Sequence, residues 1–506
     1  MYTYFRSKIA FASLLLLLAA LWETGCRKDF LDRKPLGGYT SDDYPYPEGG
    51  SALDQYIFAA YGSFRSWGCV GEGYVAAANI RSDDAVKGSV PTDALIVLPF
   101  DQFPVPPDNG LVNTIWEGYY DAVTKCNIAL SATSSDSIPL SADIKTRSRA
   151  EARFLRGYAY FTLVRFFGRI PLVDTVVSVG ESSVPQSSVA EVYQFIEQDL
   201  QFAAAHLPDH WDARYIGRAT SGAAHGLLAK VYLYEEKWQQ AMAEAGTVIQ
   251  SGLYNVETPY DQIFTEAGEN GSGSLFEIQC YSDANHPSDY GSQYAQVQGV
   301  RGTGTANLGW GLNVPTEDLV AAYESDDPRQ KSTILFCPSR EPTRYGESFP
   351  SEPNPRYNMK VYTDPAKRQS VNAQAGYWVN IRVLRYADVL LMYAEAANEL
   401  GQTDEALQKL EMVRARARGT NDQILPEVTT RNQQALRERI RHERRVELAM
   451  EDQRFFDLVR WKIAGPVMHD AGVSGFNANR DGLLPIPQVQ IDLSQGANKL
   501  QQNPGY

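Results

Sequence analysis

The chain has 506 residues, 43% hydrophobic and 21% charged, a composition able to bury a sizeable core. Its formal charge of −14 argues against nucleic acid, whose phosphates need a Lys/Arg surface. Beyond the amino terminus no stretch approaches the ~18 uninterrupted apolar residues of a membrane-spanning helix, which excludes a polytopic membrane protein.

The first residues read as an export signal. "MYTYFRSKIA" carries Arg6 and Lys8, and Ile9 to Leu21 is apolar apart from Ser13. That run is too short to cross ~30 Å of hydrocarbon as a helix. Thr24-Gly25 then precedes Cys26, the odd member of five cysteines. The pattern resembles a bacterial lipoprotein signal (residues 1–25), in which Cys26 becomes the first residue and its sulfur is lipidated. The alternative is a secreted protein with a free thiol. Residues 26–50, rich in Gly and Pro, read as a lipid-anchored tether. Cys69, Cys126, Cys280 and Cys337 show no CxxC spacing and are either buried thiols or disulfides.

Helical signals dominate after residue 50. "SRAEARFLRGYAYFTLVRFFG" (148–168) carries two adjacent apolar rows, the mark of a helix buried against more than one neighbour, with Arg149, Arg153 and Arg156 on the remaining face. Gly168 and Pro171 stop it. In 187–208, Ser188 and Glu191 form a capping box ahead of a second amphipathic helix. Residues 218–252 and 385–417 each read as helix, turn, helix, with small residues at the crossings: Gly226, Ala229 and Ala241 in the first, Ala394, Ala397 and Ala406 in the second. Such pairs are the signature of tetratricopeptide-like stacking. Between them, 253–380 is rich in Gly, Ser, Asn, Pro and Tyr and reads as a short strand followed by long loops. Loops of that length are functional or disordered, and the aromatic content argues against disorder. The expected fold is mainly α, with tetratricopeptide-like helix pairs supporting a loop-rich ligand-binding region. Its expected organisation is an N-terminal helical region at 51–270 and a C-terminal region at 271–506, with a loop-rich insert at about 271–380.

Catalytic motifs are missing. There is no Walker A sequence, G-x-S-x-G or H-E-x-x-H; "HERRVE" begins like the last, but Val446 stands where the second histidine belongs. The six histidines are not paired at metal spacing. No catalytic residue, cofactor or metal is expected.

Several segments together resemble the SusD/RagB-like outer-membrane nutrient-binding lipoproteins of Bacteroidetes. "EARFLRGYAYFTLVRFFGRIPLV" (151–173) is similar to the family's amino-terminal signature, and "RYADVLLMYAEAANELG" (385–401) to its carboxy-terminal helix. "IRHERRVELAMEDQRFFDLVRW" (440–461), "LLPIPQVQID" (483–492) and the ending "QQNPGY" complete the order of landmarks, with "SLFEIQ" and "GWGLNVPTEDL" between. Within 444–461, Arg444/Glu447, Glu451/Arg454 and Asp457/Arg460 stand at i,i+3 spacing and are expected to pair structurally.

The resemblance implies capture without chemistry. Such a protein sits on the outer membrane facing the exterior, held by its lipidated cysteine and by no other membrane contact. It binds an oligosaccharide or polysaccharide and delivers it to a SusC-like TonB-dependent barrel. A peptide-binding RagB-like relative, a periplasmic tetratricopeptide-type scaffold for protein partners and a helical glycosidase are the other readings. A sugar offers an apolar C–H face to Trp or Tyr and hydroxyls to Asp, Asn or Arg. Two regions carry such residues. The first is 63–88, with Trp67, Tyr74, Arg81, Asp83 and Asp84; the second is the 280–310 loop, with Tyr281, Tyr290, Tyr294 and Trp310.

Overall fold

The structure, a computed structural model, describes residues 46, 50–136, 138, 140–177, 184–494 and 496–506. The signal at 1–25, Cys26 and nearly all of the tether lie outside the described residues. Gln55–Tyr506 forms one compact unit. In the unit that precedes it, the Ser51 N–H donates to Asp54 Oδ2 (3.0 Å).

Helix α1 (Asp54–Ser63) opens the fold, followed by α2 (Gly110–Thr133), α3 (Ala142–Phe167), α4 (Val189–His206), α5 (Ser221–Tyr234) and α6 (Trp238–Gln250). The caps expected from the sequence are in place. Ser188 and Glu191 bond reciprocally at the start of α4, and Gly168 ends α3 at φ 70°, a conformation open to glycine. Along α3, Phe154, Leu155, Tyr158, Phe161, Leu163 and Phe166 are all buried, because α2 and α4 pack on different sides. Of the arginine face, Arg156 is buried, and Arg149 and Arg153 are half-buried. Arg156 donates to Asp199 on α4 (2.8 and 2.9 Å) and to Asn127 on α2 (2.8 Å), tying three helices together.

After α6 the stack continues with α7 (Tyr386–Glu399), which packs on α6 and then on α8 (Thr403–Arg418) and α9 (Gln433–Glu447). The two helix–turn–helix segments are therefore neighbours in space, although more than a hundred residues separate them in the chain. Gly226 of α5 lets the extended segments at Leu275 and Leu384 pack closely: a Cβ there would lie 2.7 Å from Leu275 and 2.8 Å from Leu384.

The 253–380 segment holds more structure than its texture announces. Two-stranded antiparallel ladders form between β1 (Ala85–Gly88) and β5 (Leu312–Pro315), and between β4 (Ser274–Ile278) and β8 (Ile381–Arg385). A third joins β6 (Ile334–Phe336) to β7 (Arg356–Asn358); β2 (Ile170–Pro171) and β3 (Gln186–Ser187) form a short fourth. The β1–β5 ladder ties the 51–270 and 271–506 segments together. A satellite core of Val300, Leu308, Leu335, Phe349, Tyr357 and Met359 holds the insert. Among the described residues all four cysteines are free thiols.

The 440–461 block departs from simple i,i+3 pairing. Only Asp457 and Arg460 meet as neighbours on one helix, α10 (Arg454–Arg460), at 2.7 Å. Between α9 and α10 the chain leaves the helix through Met450 and Asp452 at φ 63° and 61°, which separates Glu451 from Arg454. Glu451 meets Arg385 (2.7 Å) and Lys360 (2.5 Å) instead. Glu447 turns to Arg416 (2.6 Å), Arg385 (3.0 Å) and Arg329 (3.2 Å), while Arg444 turns to Asp388 (2.8 Å). With no water to shield them, these charges survive burial only because each faces an opposite partner.

Candidate aromatic binding surface

Strand β4 ends at Ile278, and the chain beyond it makes a short excursion stitched by polar groups. The Cys280 N–H donates to Asn380 Oδ1 (2.7 Å), and the Ser282 hydroxyl donates to the Pro287 carbonyl (2.9 Å). Asp283 Oδ1 accepts from the N–H groups of Asn285 (2.8 Å) and His286 (2.9 Å), a local turn of the type short acidic side chains favour. Those N–H groups, Asn285 first, hold the Asp283 carboxyl below its ordinary range. The chain then returns to form an isolated antiparallel bridge, with the Tyr281 N–H donating to the Tyr290 carbonyl (3.0 Å).

That bridge fixes two tyrosines beside each other and pointing outward. Tyr281 is 55% exposed and Tyr290 47%, among the few large rings left in water. Their centroids are 6.5 Å apart at 43°, and the His286 imidazole lies 5.6 Å from the Tyr290 ring. Exposed aromatic rings carried on a backbone pinned by hydrogen bonds form a platform for a flat apolar face. His286 and Asp283 add polar groups at its edge. Sequence reasoning missed both, although an Asp three residues ahead of a His between two tyrosines carries the signal of a turn presenting aromatics.

Trp67 and Trp310 form a second aromatic pair. Trp67 heads the one-turn helix Trp67–Val70, and Trp310 is placed by its N–H donating to the Gln296 carbonyl (2.8 Å). The rings meet edge to face at 5.7 Å and are half-buried, each sheltering part of the other.

The remaining five expected contact residues are buried, against the exposure that contact with a sugar needs. Tyr74 is 7% exposed and packs against Tyr119 and Phe166. Arg81 is 1% exposed; it lies over the Phe455 ring at 4.3 Å and donates to the Leu483 carbonyl (2.9 Å). Asp83 accepts both arms of Arg454 (2.8 Å each), and Asp84 takes Arg445 (2.7 Å). Tyr294 donates its hydroxyl to Asp452 (3.0 Å). The "RSDDAV" segment is thus an internal strut that fastens the amino-terminal half to α9 and α10. Its charges sit inside because the arginines of the "HERRVE" and "DQRFFDLVR" stretches meet them there.

Comparison with known proteins places this architecture. A family model described as "SusD family" matches residues 339–506, and a second, described as "Starch-binding associating with outer membrane", matches 75–233. A SusD-like protein P2 of Formosa agariphila is 31% identical over 426 residues, spanning 80% of this chain and 83% of that protein. A SusD-like protein of Bacteroides ovatus is 28% identical over 487 residues, spanning 90% and 83%. Among solved structures, a laminarin binding SusD-like protein superposes with a TM-score of 0.76 at 28% identity, covering 92% of this chain and 100% of that one. Surface glycan-binding protein A from Bacteroides fluxus superposes with a TM-score of 0.75 at 25% identity, covering 91% and 100%. From its helix stack to its ordered landmarks, the chain belongs to the SusD family.

Proposed function

We propose that this protein captures glycans at the outer membrane and passes them on without breaking a bond. The observation that carries this reading is the exposed Tyr281–Tyr290 platform, a surface suited to the C–H face of a sugar ring. The solved relatives named for laminarin and for surface glycans support the same class of ligand, and the model matching 75–233 supports association with the outer membrane. Asp283 and His286 take hydroxyls beside the rings, and Trp67 with Trp310 extends the aromatic surface. The lipidated Cys26 is the anchor, since two or three acyl tails hold a protein where one is marginal. The recipient is a SusC-like TonB-dependent barrel, which requires that the complex with the glycan be weak enough to release.

The test is affinity electrophoresis and calorimetry of the soluble chain against a polysaccharide panel that includes laminarin. Covering roughly 60 Å² of one tyrosine ring contributes about 1.5 kcal/mol at ~25 cal/mol per Å². Tyr281→Ala and Tyr290→Ala are therefore each expected to weaken binding about tenfold. Binding by the wild type that survives both substitutions unchanged would place the glycan elsewhere. Release of reducing ends from the bound polymer would refute capture without chemistry.

A further inference from the structure

A cavity of about 210 Å³ lies between the Arg329–Thr333 turn with β6, the 339–344 loop, Asp261 and Met359, and shares no residue with the aromatic surface. Its apolar side is Ile334, Leu335, Phe336 and Met359; its polar side carries Lys331, Arg340 and Arg344 against Glu341 and Asp261. Cations outnumber carboxylates there, in a chain whose formal charge is −14.

Like Arg81, and unlike many arginines of the fold, the two at this cavity have no ion pair among the described residues. Arg329, Arg385, Arg414, Arg416, Arg444, Arg445, Arg454 and Arg460 each face a carboxylate. Arg344 does not. Its Nη1 donates to the Asp261 carbonyl (2.7 Å) and its Nη2 to the Met359 carbonyl (2.8 Å), and no carboxylate among the described residues lies within ion-pair distance. Burial pushes its guanidinium below the ordinary value. Arg340 lies over the Phe336 ring at 3.6 Å and likewise has no ion pair among the described residues. Among the described residues Lys331 has only Glu341 as an ion-pair partner, 3.8 Å away and 57% exposed, a contact that water largely screens. Two guanidiniums are thus held in place, one by carbonyls and one by a ring, with donors not committed to any anion. A guanidinium fork matches the oxygens of a carboxylate or sulfate, and the apolar side of the cavity matches a C–H face.

We infer that this cavity is a subsite for a negatively charged sugar residue, a uronate or a sulfate ester, separate from the Tyr281–Tyr290 platform. At about 210 Å³ it is smaller than the ~300–1,000 Å³ pockets that enclose whole drug-sized ligands, in keeping with one charged unit of a longer chain. The inference rests on the glycan-binding reading for its ligand class, and on the unpaired arginines for its charge.

Calorimetry of the soluble chain tests it, with an oligogalacturonide, a monosaccharide 6-sulfate, their neutral counterparts, inorganic sulfate and an acidic peptide as separate probes. At least one charged saccharide is expected to bind at least tenfold more tightly than its neutral counterpart, and to weaken as salt is raised. Which of the two binds distinguishes carboxylate from sulfate. Arg340→Gln, at an exposed position, is expected to reduce that binding about tenfold. Arg340→Gln is expected to leave binding of a neutral polysaccharide at the Tyr281–Tyr290 platform unchanged, so that failure of the platform and failure of this subsite read out separately. Arg344→Gln removes a brace between two carbonyls, so its result counts only if its unfolding midpoint matches the wild type. The inference is overturned if no charged saccharide binds, or if Arg340→Gln binds as the wild type does. It is also overturned if inorganic sulfate binds as well as the saccharide, an adventitious ion only, or if the acidic peptide is preferred, which would make the cavity a protein contact.

Discussion

Asp452 offers a direct test of how this fold treats charge. Its carboxylate is buried and takes hydrogen bonds from Asn79 and the Tyr294 hydroxyl, with no cation in ion-pair contact among the described residues. Burial raises its pKa, Glu451 adds to the rise, and the hydrogen bonds and Arg165 only partly offset it, leaving it at about 7. Against an ordinary value of 3.8 this is about three powers of ten in proton affinity, roughly 4 kcal/mol at about 1.4 kcal/mol per tenfold. Below pH 3.8 both the folded and unfolded chains hold the proton; between 3.8 and 7 only the unfolded chain loses it. Stability therefore falls as pH rises through that window and stays lowered above it. Asp452→Asn removes the charge, retains an acceptor, and suits the left-handed backbone at φ 61°. In urea unfolding followed by tryptophan fluorescence, the variant should gain roughly 1–2 kcal/mol over the wild type at pH 5 and roughly 4 kcal/mol at pH 8. Every other carboxylate is common to both proteins, so their difference isolates this one. A gain that is constant with pH, or a loss that grows with pH, would refute the reasoning.

Other expectations follow from the same packing. Glu447→Ala strands Arg416 and takes one partner from Arg385, which keeps Glu451, and from Arg329, which keeps Glu443; it should cost about 3–5 kcal/mol, measured as a lowered urea midpoint. Burial pushes the Glu447 carboxyl up, but those three arginines outweigh it and hold it well below the usual range. Its contribution should thus be present above its ordinary value of 4.5 and erode as pH falls below, visible as acid destabilisation that Glu447→Ala lacks. Gly118→Ala should destabilise by roughly 1–3 kcal/mol in thermal unfolding, because a Cβ there lies 2.6 Å from the Gly68 backbone, which has no side chain to move aside. Burial pushes the Cys280 thiol up to about 11, and Cys69, Cys126 and Cys337 are buried. A thiol reagent at neutral pH should therefore label the folded chain lacking residues 1–26 slowly, and at four sites once urea unfolds it.

The helical scaffold was legible because it rests on local rules. The rows of α3, the Ser188/Glu191 box and the alanine-lined helix pairs each state their structure within one or two turns of chain. The expectation of export and of an anchor at Cys26 rests on the same kind of short-range pattern, in residues outside those described. The candidate binding residues were less legible, because exposure is not a local property. Tyr281 and Tyr294 look alike in sequence; one is 55% exposed and the other 6%, since an isolated bridge turns the first outward and Asp452 draws the second in. Asp83 and Asp84 resemble hydroxyl ligands until Arg454 and Arg445, some 360 residues further along, are folded onto them. Local periodicity is written in neighbouring residues; whether a ring or a charge meets water depends on partners that only the closed chain brings near.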